Sequence, residues 1–153
     1  MTSPADPAHP TGTPMPGPGR VAAWLAKQVE LALSGVDLSP PQYRVLGVLA
    51  EGDSMPSALA ERLAVRRPTI TAVVDGLVAR GLVERAPDAG DRRRVHHAIT
   101  AEGASVLAAA DVAVDERLYA IAARLGSRAD AAVAGLELWR EALRSLAEGV
   151  VRR

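Results

Sequence analysis

The chain has 153 residues, 48% of them apolar, with eighteen basic and eighteen acidic side chains that cancel at neutral pH and no cysteine. That is one domain's worth of length with enough apolar side chain for a core, and the missing thiols exclude disulfides, thiolate metal sites and cysteine-based redox sensing. No uncharged apolar run approaches the ~18 residues a membrane span needs, and residues 2–19 lack the apolar segment of a signal peptide, so no membrane partner is expected and the expected location is the cytoplasm.

Residues 1–19 hold six prolines and three glycines, too little apolar surface to order, and read as a disordered tail. A first helix is expected over 20–33, with Val21, Trp24, Leu25, Gln28 and Ala32 along one side and Gly35 ending it. Ser39-Pro40-Pro41-Gln42 is a capping box with proline at the first helical position, opening a second helix that runs through Tyr43, Leu46 and Leu49 to about Ala50. After the Glu51-Gly52-Asp53 turn, a third helix starts at Ser54 or Met55 with Leu59 and Leu63 inward. A break near Ala64-Val65 leads to a fourth helix over 68–80, buried through Ile70, Val73, Val74 and Leu77 and stopped by a left-handed Gly81.

The pattern then changes period. Residues 82–85 and 95–99 read as two antiparallel strands joined by a charged loop over 87–94. Thr100 caps a long helix over 101–125, in which Leu107, Val114, Leu118, Ile121 and Leu125 share a face. Gly126 breaks it, and Ser127 starts a last helix whose Leu136, Trp139, Leu143, Leu146 and Val150 recur at steps of three and four. These two long helices have too little of their own chain to cover them, which points to a second copy of the chain.

The resulting fold is mainly α with a small β-hairpin wing: a winged helix-turn-helix (39–100) plus long dimerisation helices (20–38 and 101–153). Residues 62–100 hold eight basic against four acidic side chains, while the segments on either side are net acidic. Seventeen of the eighteen basic residues are Arg, which makes forked contacts to guanine and phosphate that Lys does not. Arg66 and Arg67 stand at the start of the fourth helix, where a cation opposes the helix dipole. A phosphate or a guanine edge turns that cost into a gain. Thr69 and Thr71 in the first turn could touch thymine methyls or phosphates, or bond locally to the backbone. Arg92, Arg93 and Arg94 crowd the tip of the hairpin, an arrangement suited to the electronegative minor groove, and Asp91 could hold one of them. The residue pattern thus points to double-stranded DNA as partner. The competing reading is a protein–protein interaction module with a solvated arginine patch.

Gly81-Leu82-Val83-Glu84-Arg85, Asp91-Arg92-Arg93 and Thr100-Ala101-Glu102-Gly103 together resemble the signature of the MarR (multiple antibiotic resistance regulator) winged-helix repressors. Leu59-Ala60-Glu61-Arg62-Leu63 is similar to their third helix. The resemblance implies a homodimer held by its first and last helices, here through Leu25, Leu143 and Leu146. It also implies a recognition helix in the major groove, Asp91 orienting Arg93, and release from DNA by a small aromatic or anionic effector bound between the two regions. Arg66 and Arg67 depart from the family pattern, where small polar residues are common. Trp24 and Tyr43 are candidates to line an effector pocket, with core or interface packing as the plainer role; a regulator without a ligand is the alternative. His96 and His97 point to opposite faces of a strand, so strand packing suits them better than a metal. No metal, no cofactor and no catalytic group is expected.

Overall fold

The computed structural model describes residues 17–52, 55–87 and 95–151. Asp91, Arg92, Arg93 and Arg94, together with the side chain of Leu146, lie outside the described residues. The order is α1 (Pro18–Ser34), α2 (Pro40–Ala50), α3 (Pro56–Arg62), α4 (Arg67–Ala79), β1 (Val83–Pro87), β2 (Val95–Ile99), α5 (Ala101–Ala122), a 3-10 segment (Ala123–Arg128) and α6 (Ala129–Val151). The strands form an antiparallel ribbon in which Val83 faces Ile99 and Arg85 faces His97. This is the mainly helical winged-helix architecture expected from the sequence.

The core is aliphatic. Leu33, Val45, Leu46, Leu49, Leu59, Ile70, Val74, Leu77, Leu82, Val83, Leu107, Ala110 and Val114 form one buried cluster that joins α1, α2, α3, α4, the ribbon and α5. At ~25 cal/mol per Å² of apolar surface removed from water, this cluster is the main stabilising term. The capping box at Ser39 is present, with the Gln42 N–H donating to Ser39 Oγ and the Ser39 N–H donating to Gln42 Oε1 at 3.0 Å. Thr100 caps α5 by accepting from the Gly103 N–H at 3.0 Å.

Three helices end alike, each with a residue in the left-handed region and a six-residue closing bond. After α4 the residue is Gly81 (φ 72), as expected, with the Leu82 N–H bonded to the Leu77 carbonyl at 3.0 Å. After α3 it is Ala64 (φ 52), and after α1 it is Asp37 (φ 54). Gly35 ends α1 as expected, in a right-handed conformation (φ −73), and the left-handed residue beyond it is Asp37, whose carboxylate pairs with Arg80 at 3.3 Å. Other boundaries shift by a few residues. α5 gives way to the 3-10 segment at Ala123 rather than running to Leu125, and α6 starts at Ala129 rather than Ser127.

The expected side of the first helix divides in the structure. Ala32 packs against the core and Leu25 and Gln28 are half-buried, while Val21 is exposed. Val29 and Leu33, roughly a quarter turn away, enter the core, whereas Trp24 is 61% exposed. Helix α6 leaves Trp139 67% and Leu143 61% exposed. Val21 and Leu25 meet Leu136, Trp139 and Leu143 across a cavity of about 630 Å³.

One contact decides how the lobes join. A Cβ built on Gly103 would lie 2.0 Å from the Leu82 carbonyl oxygen and 2.9 Å from Ile99 Cγ1, so α5 can approach the ribbon only with glycine there. Gly103→Ala should cost about 1–3 kcal/mol through forced backbone displacement. Gly47→Ala, with nothing within 4 Å, should be neutral or stabilising by up to ~1 kcal/mol through helix propensity. Chemical denaturation of the two variants measures both; equal stabilities would contradict the packing.

Candidate nucleic-acid interface

The turn between α3 and α4 is fixed before any side chain reaches outward. The Val65 N–H bonds to the Ala60 carbonyl at 3.0 Å and the Ala64 N–H to the Glu61 carbonyl at 3.1 Å. From α2, Arg44 Nη2 donates to the Leu63 carbonyl at 3.0 Å, and Arg62 pairs with Glu51. Ile70, Val74 and Leu77 anchor the inner face of α4. Its outer face is therefore presented rigidly.

On that face stand Arg66, Arg67, Thr69 and Thr71, all exposed. Arg66 occupies the cap position with φ −72 and ψ 145 and supplies no capping side chain; Arg67 and Pro68 follow, and the first turn holds no acid. Each cation at a helix start costs about 0.3–1 kcal/mol in isolation. Among the described residues neither guanidinium has a hydrogen bond or an ion pair. The remaining arginines of this region differ: Arg62, Arg80 and Arg85 pair with Glu51, Asp37 and Asp75. Two exposed cations thus sit at the start of α4 with no partner among the described residues. Thr71 takes the local option, its hydroxyl donating to the Arg67 carbonyl at 3.1 Å, so its methyl is the group left to face outward.

The wing is tied to this helix at its base. Arg85 on β1 pairs with Asp75 on α4. A cavity of about 270 Å³ between them is lined by Pro56, Ile70, Thr71, Val74, Val95 and His97 as well as that pair. His97 is buried and His96 half-buried, in line with a packing role for the inward ring. The far side of the ribbon joins α5 through Thr100, whose hydroxyl donates to the Gly81 carbonyl at 2.7 Å. Sequence reading missed the Asp75–Arg85 pair, because its members lie ten residues apart across the Gly81 turn, where no helical or strand spacing relates them. It missed the Arg44 grip for the same reason.

Tyr43 and Trp24 fall in different surroundings. Trp24 is exposed on α1, while the Tyr43 hydroxyl donates to Asp111 Oδ1 on α5 at 2.6 Å. Burial, then the Asp111 bond and the charges of Asp111 and Asp115, push the Tyr43 phenol well above its ordinary value. The stability it contributes is complete below the unfolded phenol value of about 10 and is lost as pH rises toward the folded one. No helix among the described residues is long and apolar enough to cross a membrane, and none of their His, Asp and Glu side chains group as a metal site would need.

A helix-turn-helix with bare arginines at its second helix, followed by a two-stranded ribbon braced against that helix, defines a winged-helix DNA-binding transcription regulator. The MarR family model matches residues 36–94. The HTH-type transcriptional regulator FarR of Neisseria gonorrhoeae is 32% identical over 103 residues, covering 67% of this chain and 70% of that protein. The chain belongs to the MarR family. NadR, solved in complex with 4-hydroxyphenylacetate, superposes with a TM-score of 0.68 at 29% identity over 95% of this chain and 98% of that one. The transcriptional repressor CouR, bound to a 23-mer DNA duplex, gives 0.68 at 26% identity over 81% and 88%. Some other curated relatives are spanned less fully: the match to HosA of Escherichia coli covers 56% of its length.

The left-handed Ala64 yields a prediction for the turn. Alanine there costs roughly 1–2 kcal/mol, only partly offset by the greater freedom glycine has in the unfolded chain. Ala64→Gly should raise stability by about 0.5–1 kcal/mol, seen as a higher denaturation midpoint at unchanged m-value.

Proposed function

We propose that the chain is a homodimeric, sequence-specific repressor that grips a pseudo-palindromic operator and is released from it by a small organic ligand, acting in the cytoplasm without metal or redox cofactor. The observation that carries this reading is the pair of exposed, unpartnered guanidinia at the start of α4. Arg66 and Arg67 enter the major groove, with Thr69 and the Thr71 methyl beside them. Arg92, Arg93 and Arg94 take the wing to the minor groove or its flanking phosphates, with Asp91 orienting Arg93. Residues 39–100 form the DNA-binding region, and 20–38 with 101–153 the dimerisation region.

Dimerisation is supported by the apolar faces that α1 and α6 leave open. Leu25 and Leu143 flank the same cavity, and Leu146 continues their stripe by spacing. Two dyad-related copies of α4 then read half-sites about one helical turn, ~10 bp, apart. Ligand control is supported by NadR, which holds 4-hydroxyphenylacetate, a small aromatic anion of the class expected here. Such a compound weakens DNA binding only by preferring the dimer shape that does not bind. Tyr43, at the joint between the two regions, is better placed than Trp24 to feel it.

Binding to duplexes selected from random DNA should weaken steeply with salt, as phosphate neutralisation requires; salt-insensitive or absent binding would favour a protein-interaction module. Arg67→Ala should relax base preference inside the half-site by about 1–3 kcal/mol. Arg93→Ala should instead flatten the salt dependence and weaken the preference for A/T-rich flanks. Competition assays against scrambled and flank-swapped duplexes separate the two effects, and wild-type behaviour of both variants would remove both assignments.

The dimer has its own test. Leu143 is 61% exposed in the single chain, so Leu143→Asp should leave the fold near parent stability while burying a charge in the dimer, at a cost of several kcal/mol. Sedimentation should show a parent dimer and a variant monomer at micromolar concentration. A monomeric parent would contradict the proposal.

A further inference from the structure

The joint between the winged helix and α5 is mostly apolar. Val45 and Leu46 of α2 share the core cluster with Leu107, Ala110 and Val114 of α5. Apolar contact is non-directional, and packed helices slide past one another at small cost. Leucine and alanine alone therefore do not fix the angle at which the winged helix leaves α5.

A directional bond crosses the same joint. Tyr43, in the first turn of α2, donates its hydroxyl to Asp111 of α5 at 2.6 Å, across 68 residues of sequence. Among the described residues no other side-chain hydrogen bond joins these two helices. Its length is that of a charge-assisted O–H···O⁻ bond. Burial, then the Asp111 bond and the charges of Asp111 and Asp115, favour the protonated phenol, which is the donor. Further along α5, Arg117 Nε donates to Gln28 of α1 at 2.9 Å. Helix α5 is thereby tied to α1 through Arg117, whose Nε and Nη2 both donate to Gln28, and to α2 through the Tyr43 bond.

We propose that Tyr43 and Asp111 are positioning residues for DNA binding: their hydrogen bond fixes the tilt of each winged helix on α5, and so sets the half-site spacing that the dimer accepts. The inference rests on the homodimer reading above. Helix α4 packs on α2 through the common core, so any tilt of α2 carries Arg66 and Arg67 with it as one body. Successive base pairs move a half-site by only about 3.4 Å along the duplex and turn it about the axis. A joint free to slide a few ångströms would accept neighbouring spacings, whereas a clamped joint rejects them.

The test uses the full chain and a duplex that the parent selects from random DNA, remade with one base pair added to or removed from the centre. The parent should discriminate among these spacings about tenfold, the scale of one hydrogen bond to a charged group. Tyr43→Phe keeps the ring, and Asp111→Ala removes the acceptor. Each should cut the discrimination to about threefold or less, and the double variant should be no worse than either alone. Asp111→Asn, whose amide oxygen still accepts, should regain most of it.

Variants that melt earlier yet keep the parent's spacing preference would show a purely structural bond and overturn the proposal. A double variant that loses the sum of both single effects would overturn it as well. A parent that is monomeric, or that binds all spacings equally, would overturn the homodimer reading and this inference together. A dimeric parent with a clear preference that both single variants retain would overturn this inference alone.

Discussion

The geometry of the whole molecule hangs on the approach of the first turn of α5 to the carbonyl of Leu82. That carbonyl accepts from the Thr100 N–H at 3.1 Å, the Thr100 hydroxyl reaches the carbonyl of Gly81, and Gly103 lies where any side chain would strike Leu82. Three elements meet there: the exit of the recognition helix, the start of the wing and the root of the long helix that leads away from both. Fixing them at one point lets the Asp75–Arg85 pair and the Tyr43–Asp111 bond act as braces of defined length. Hydrophobic burial supplies most of the stability; these backbone-level contacts supply the angles.

Electrostatics runs in two registers. At the edges of the recognition unit each arginine has a partner: Arg62 with Glu51, Arg80 with Asp37, Arg85 with Asp75. These are partly exposed pairs, worth at most about 1 kcal/mol each. Their larger effect is to bind α3 to α2, α4 to the turn that precedes α2, and the wing to α4. At the start of α4 the pattern is the reverse, with two guanidinia that have no partner among the described residues set against an unfavourable dipole. A local violation of the rules that govern the rest of a chain is where function is expected to sit.

Much of this was legible in the sequence, and the parts that were not share a cause. Capping chemistry is local, so Ser39, Gln42, Gly81 and Thr100 announced their roles by spacing alone. The aliphatic stripe of α4 was equally plain, because a helix buried on one side repeats every three to four residues. Gly103 was visible as a residue but not as a constraint, since Leu82 stands 21 positions earlier and only the fold brings it near. Gly35 marked the end of α1, but the left-handed Asp37 beyond it was not legible, because glycine is the usual residue there and the Asp37–Arg80 pair joins positions far apart in the chain. On α1 the periodicity reported which side is apolar, but an amphipathic pattern does not say what covers it.

Helix α1 shows how the chain divides its apolar surface. Val29 and Leu33 hold α1 to its own core, so Val21, Trp24 and Leu25 are not needed for the fold of one chain. A single helix carrying two apolar sides, one buried in cis and one open, is stable in isolation yet adhesive. Helix α6 differs in burying none of its described residues in that core, and it leaves Leu136, Trp139 and Leu143 exposed. Apolar side chains this large and this exposed on two adjoining helices exceed what scattered surface hydrophobics explain, and they are what the proposed dimer would cover. The winged-helix unit offers the contrast: Ile70, Val74 and Leu77 are buried to within a few per cent, and what it exposes is charge. The apolar and the charged surfaces meet: Leu143 lines one cavity, of about 710 Å³, together with Arg66 and Arg67. Helix α5 is held by polar contacts to α1 and to α2, so it ties the helix with the open apolar side to the helix on which α4 packs.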